Sequence, residues 1–113
     1  MTWLPEAGDL VWTDFDPRTG REQGGRRPAL VVSPGAFIQA TGFAIVCPIT
    51  SRIRPFPSSV VLPPDSAVAG EILTSHVRSI DTLARPIRLA GRVDMAVLED
   101  VRARLAALIG MGD

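Results

Sequence analysis

The sequence predicts a mainly β domain: a small barrel or sandwich of short strands with one C-terminal helix packed on it. Short segments rich in branched apolar residues recur along the chain, separated by proline, glycine and polar turns. The last stretch changes period, because Leu98, Val101, Leu105 and Leu108 fall 3, 4 and 3 residues apart, the spacing of a helix face. The chain has 113 residues, 46% apolar and 21% charged, which suits one modest core and argues against disorder. Residues 1–113 are therefore expected to form a single domain.

Asp9 to Phe15 places Leu10 and Trp12 on one face and Val11, Thr13 and Phe15 on the other, a strand partly covered on both sides. It stops at Asp16-Pro17. A glycine-punctuated loop follows, and Pro28 to Ser33 makes a short, nearly continuous apolar strand that ends in the turn signal Ser33-Pro34-Gly35. Gly42 to Thr50 is the most apolar run, and Pro48 near its end indicates a bulge or an edge position where no backbone donor is needed. Ser51 to Ser59, with Arg52, Arg54, Pro55 and Pro57, reads as an exposed basic loop before Val60 to Leu62 resumes a strand. Further strands are expected at Glu71 to Leu73, His76 to Asp81 and Pro86 to Val93. The closing helix starts with Asp94 as N-cap and ends at Gly110. Glu99 with Arg102 and Asp100 with Arg104, at i,i+3 and i,i+4 spacing, are read as its solvated face.

Formal net charge is zero, which argues against a nonspecific nucleic-acid coat protein, yet the charge is unevenly placed. Residues 17 to 64 hold six arginines (Arg18, Arg21, Arg26, Arg27, Arg52 and Arg54) against Glu22 alone, a local balance of +5. An anionic ligand belongs there. All 12 basic residues are arginine, which reads first as genomic base-composition bias, although arginine also suits bidentate phosphate recognition. A mean hydropathy of +0.22 leaves room for a subunit interface or a partner groove. There is no signal-peptide pattern and no run of 18 apolar residues, so a soluble, cytoplasmic protein with no membrane role is expected. Cys47 and His76 are single copies, which excludes an intrachain disulfide, a Cys/His zinc site within one chain and catalysis by a histidine pair.

The residues with chemical potential gather in the two basic loops and at strand ends. Arg18 to Pro28 packs four guanidiniums and one carboxylate among Gly20, Gly24 and Gly25, a composition suited to gripping phosphate. Arg27 precedes Pro28, which holds its backbone extended and fixes where its side chain leaves the loop. A guanidinium is a poor proton-transfer group, so Arg27 either stabilises negative charge on a phosphorane-like transition state or pairs with an acid of a neighbouring strand. Glu22 is either a general base kept ionised by neighbouring arginines or a surface carboxylate pairing with Arg21 or Arg26. Thr50 and Ser51 either cap a strand end or hold a phosphate oxygen. His76 has the unperturbed pKa for acid–base work, although a lone histidine in a strand-like stretch also reads as structural. Cys47, inside an apolar run, reads as core.

The string from Gly8 to Pro17, followed by Gly20, Glu22-Gln23-Gly24-Gly25-Arg26-Arg27-Pro28 and Ala29 to Pro34, closely resembles the opening of the MazF/PemK toxin family. The resemblance continues through Thr41-Gly42, Cys47 to Ser51, Leu73 to Asp81 and the closing helix to Leu108-Ile109-Gly110. It implies an SH3-like β-barrel with a C-terminal helix, a homodimer, and a metal-independent, cofactor-free, sequence-specific endoribonuclease. The implied substrate is single-stranded mRNA, with no DNA target, and the implied neutralising partner is a MazE-like antitoxin. On this resemblance Arg27 and Thr50 match the catalytic arginine and threonine, and Glu22 the acidic loop residue. RNA is expected along the loops around residues 17–27 and 51–58 and the dimer interface, with Arg18, Arg21, Arg26, Ser51, Arg52, Arg54, His76 and Arg78 as contacts. His76 departs from relatives that carry glutamine or aspartate before the Val-Arg pair. The alternatives are a noncatalytic toxin of the same barrel that poisons gyrase, as CcdB proteins do, and an inactive barrel that binds RNA or antitoxin. The gyrase poison uses a tryptophan near its C-terminus, whereas this chain has only Trp3 and Trp12.

Overall fold

The structure, a computed structural model, describes residues 3–15 and 26–111. Among the described residues, seven strands and two helices follow in the order β1 (Asp9–Asp14), β2 (Arg26–Val31), α1 (Gly35–Thr41), β3 (Phe43–Thr50), β4 (Val60–Val61), β5 (Glu71–Ile72), β6 (Arg78–Asp81), β7 (Ile87–Arg92) and α2 (Met95–Leu108). A 3-10 turn, Thr74–His76, separates β5 from β6. The sheet runs β4-β5-β3-β2-β1-β7, with β6 also paired to β3, and every pairing is antiparallel.

Both faces of the central strands are covered, which is why β1, β2 and β3 read as nearly unbroken apolar runs. On one face Leu10, Leu30, Cys47, Ile49 and Ile72 pack with Leu98 and Val101 of α2. On the other, Val11, Ala29, Val31, Ala44, Val46 and Ile80 pack with Ile38 of α1. Cys47 is a core residue, and burial pushes its thiol up to about 12.

The bend that turns the sheet toward a barrel lies in β3. Its outer edge pairs first with β6, at Phe43 to Val46, and then with β5, at Ile49 and Thr50. Pro48 sits at that exchange, and its carbonyl accepts the Leu73 N–H at 2.8 Å. A strand residue turns both backbone polar groups to the same edge, so the donor that proline lacks falls at the changeover of partners. Pro48 is thus an interior-strand proline placed at a gap in the ladder.

The structure corrects several sequence expectations. Ser33-Pro34-Gly35 opens α1 and is not a simple turn: Pro34 is the N-cap residue, where a helix uses no donor, and Gly42 closes the helix in the left-handed region at φ 80°. His76 ends the 3-10 turn and does not begin a strand, because Leu73 and Thr74 carbonyls take the His76 and Val77 N–H groups. The packed stripe of α2 stops at Leu105, and Leu108 is half exposed. Asp94 caps α2 through its backbone carbonyl alone. Asp100 and Arg104 form the expected ion pair at 2.8 Å, whereas Arg102 bonds the Val32 carbonyl and ties α2 to the sheet. Among the described residues, no helix is long and apolar enough to cross a membrane.

Candidate functional site

The site is built where β2 and β3 part. Their ladder runs Val31↔Val46, Leu30↔Cys47 and Ala29↔Pro48. Beyond it β2 continues to Arg26 against β1, with Thr13↔Arg27 and Asp14↔Arg26, while β3 continues to Thr50 against β5. Carrying the β2/β3 register two residues further sets Arg27 level with Thr50, and the pleat puts both on the face of Ala29 and Pro48. A cleft of about 440 Å³ opens beside this divergence, lined by Trp12, Arg26, Arg27, Pro28, Ser51 and residues 67–69; Trp12, Arg26 and Pro28 belong to the face opposite that of Ala29 and Pro48, and Thr50 does not line it.

Arg26 and Arg27 are exposed, and neither guanidinium has a hydrogen-bond or ion-pair partner among the described residues. The Thr50 Oγ1 accepts the Arg52 N–H at 3.2 Å, which fixes the hydroxyl and leaves its hydrogen free to donate. Gly70 makes room for this strand end. A Cβ there would lie 2.5 Å from the Thr50 carbonyl oxygen, and its φ of +144° is itself strained for other residues. Thr13, opposite Arg27, is buried, and its Oγ1 has no hydrogen-bond partner among the described residues.

Two arginines hold the end of β1, the point from which the first basic loop departs. Arg78, exposed at the start of β6, bonds the Phe15 carbonyl at 3.3 Å and lies 5.2 Å from the Phe15 ring centroid. Arg85 bonds the Asp14 carbonyl at 2.5 Å. Arg78 therefore has structural work beside its expected RNA contact, and Arg85 was not singled out from the sequence.

Ser51, Arg52 and Arg54 are exposed in the loop between β3 and β4. That loop is fastened by Glu71, which is fully buried. The Glu71 carboxylate accepts the Arg54 N–H at 2.7 Å, the Phe56 N–H at 3.2 Å and the Ser59 hydroxyl. These bonds, the Ser59 hydroxyl first and then the Arg54 amide, hold the carboxyl below its ordinary pKa against the opposing effect of burial. Thr74 adds a bond to the Ser58 carbonyl, and Arg104 one to the Pro57 carbonyl. The available signal was an acid inside the apolar strand Glu71 to Leu73, after a loop rich in donors. His76 lines a separate hollow of about 300 Å³ with Phe56, Ser58 and Ser75, which shares no lining residue with the Arg27 cleft. Arg18, Arg21 and Glu22 lie outside the described residues.

A curled antiparallel sheet with a helix packed on each face and an arginine-lined cleft beside a strand divergence describe a small barrel protein with an exposed basic site. The chain belongs to the family of PemK-like, MazF-like toxins of type II toxin–antitoxin systems, whose sequence model matches residues 6–109. It is 38% identical over 108 residues to the endoribonuclease toxin MazF of Escherichia coli K12, covering 96% of each chain. It is 40% identical over 111 residues to the endoribonuclease toxin ChpB of the same organism, covering 92% of this chain and 93% of that one. The crystal structure of MazF (Form-I) from Deinococcus radiodurans matches with a TM-score of 0.87 at 44% identity, over 97% of this chain and all (100%) of that one. A chain of the MazE-MazF crystal structure (Form-III) from that organism matches with a TM-score of 0.88 at 43% identity, over 97% and 100%.

Proposed function

We propose that this chain is an endoribonuclease toxin that cleaves single-stranded mRNA at a short recognition sequence and is neutralised by a MazE-like antitoxin. This reading is supported by the β2/β3 register, which when extended past Ala29↔Pro48 sets Arg27 and Thr50 on one face, and by the exposure of Arg27. In the mechanism we infer, the RNA 2′-hydroxyl attacks the adjacent phosphorus. Arg27 stabilises the charge that develops on the phosphorane-like transition state, and Thr50 donates to a nonbridging oxygen. Glu22 is the general base that takes the 2′-hydroxyl proton, and as the P–O5′ bond breaks the leaving 5′-oxygen takes a proton from water. The products are a 2′,3′-cyclic phosphate and a 5′-hydroxyl, with no divalent metal required.

Arg26 and the arginines of the two basic loops guide the strand, and splayed bases meet loop side chains. The chain works as a homodimer. Support for that comes from large apolar side chains left at the surface, Leu83 at 88% exposure together with Phe37 of α1 and Phe43 of β3.

Incubating the protein with a long RNA in EDTA and mapping the ends should reveal recurrent cuts with 5′-hydroxyl termini. Arg27→Ala should lower the single-turnover rate by about 10²–10³-fold, the scale of losing one transition-state charge stabiliser, and Thr50→Ala should slow it too. An RNA with 2′-deoxyribose at the scissile nucleotide should bind and stay intact. Its cleavage, or activity that depends on magnesium, would refute the mechanism.

A further inference from the structure

Glu71 is the buried acid that the cleavage chemistry leaves unused. It lies in β5 opposite Thr50 of β3 and Val61 of β4, so its backbone belongs to the sheet while its side chain is fully enclosed. Among the described residues, its donors all come from one segment: the Arg54 and Phe56 amides and the Ser59 hydroxyl. A loop of this composition, with Pro55 and Pro57, has no ladder to satisfy its own amides. The carboxylate takes the place of a neighbouring strand. Ser59 completes a second tier, since its Oγ accepts the Phe56 N–H at 3.2 Å and its own N–H reaches the Phe56 carbonyl at 3.1 Å.

The anchored side of the loop faces inward, and its basic side faces out. Arg52 and Arg54 are exposed while the backbone between them and Ser59 is tied to β5, to the 3-10 turn through Thr74 and to α2 through Arg104. The same β5 residue is the ladder partner of Thr50. One residue thus joins the strand end that carries the reactive hydroxyl to the loop that carries two of the guiding arginines.

Building on the endoribonuclease reading, we propose that Glu71 is a positioning residue for RNA recognition: its carboxylate presets the basic loop 51–59, so that Arg52 and Arg54 meet the RNA backbone without an ordering step. Preset groups spare the entropy of ordering a loop on binding, so loss of the anchor falls on substrate affinity. The expected signature is a raised KM with kcat nearly kept, the pattern of lost uniform binding.

Glu71→Gln keeps the size of the side chain and one acceptor, and Ser59→Ala removes one donor while the buried carboxylate keeps the Arg54 and Phe56 amides. Both are compared with the parent by amide hydrogen exchange and by cleavage kinetics on one RNA. Exchange at Arg54 and Phe56 should quicken by about tenfold or more in Glu71→Gln and by less in Ser59→Ala, while amides of β2 and α2 stay protected. KM should rise several-fold in the same order, and Glu71→Asp should recover part of the loss. Unchanged exchange at Arg54 and Phe56 in both variants would overturn the anchor, and a fall confined to kcat would overturn its role in recognition. If the parent itself cleaves no RNA, the catalytic reading fails, while the exchange measurement still decides whether Glu71 presets the loop.

Discussion

Arg26 and Arg27 are adjacent in β2, so the pleat directs them to opposite faces: Arg27 to that of Ala29 and Val31, Arg26 to that of Pro28 and Leu30. Only Arg27 shares a face with Thr50, so in the proposed mechanism the two arginines are not interchangeable. Thr13, across from Arg27, makes a separate prediction. Its buried hydroxyl has no partner among the described residues, so Thr13→Val should stabilise the fold by about 1 kcal/mol, since an unpaired buried hydroxyl is unfavourable. Urea denaturation measures it, and a loss of stability would mean that the hydroxyl is satisfied in solution.

At the level of elements, the loop anchored by Glu71 should respond to acid. Glu71 has a depressed pKa in the folded protein, so its contribution to stability is present above the ordinary carboxylate pKa of about 4.3 and is lost as pH falls through the folded value. Hydrogen exchange at Arg54 and Phe56, corrected for intrinsic rates, should therefore stay slow down to about pH 4.3 and quicken below it. A pH-independent opening would contradict the carboxylate's part. The strands were legible in the chain because branched residues alternate or run together in segments long enough to read, as in Asp9 to Phe15 and Gly42 to Thr50. Helix α1 was not, since its seven residues, Gly35–Thr41, span barely two turns and begin with a Pro-Gly pair that also signals a turn. Arg27 and Thr50 could be singled out by residue type and resemblance, whereas their shared register depends on a strand pairing that no local pattern encodes. Glu71 was hidden for the same reason: its partners lie 12 to 17 residues away.

For the whole molecule, zero net charge conceals a basic side, with six arginines against one acid between residues 17 and 64. RNA binding should therefore weaken with salt despite the neutral chain. A log–log plot of affinity against salt should have a negative slope of magnitude up to about 4, from roughly 0.7 per phosphate contacted on a single strand. Arg54→Ala should flatten it by about 0.7, and a slope near zero in the parent would exclude phosphate contacts by these arginines. The bent strand β3 also gives the molecule an order of completion. Its inner edge can pair with β2 as soon as both exist, but its outer edge waits for β5 and β6, which come about twenty to thirty residues later in synthesis. Until Glu71 has left the ribosome, Thr50 has no strand beside it and the basic loop has no anchor. On the proposed mechanism, a nascent chain thus carries Arg27 and Thr50 well before it carries the strand and the anchor that set them, so activity waits until most of the chain has been made.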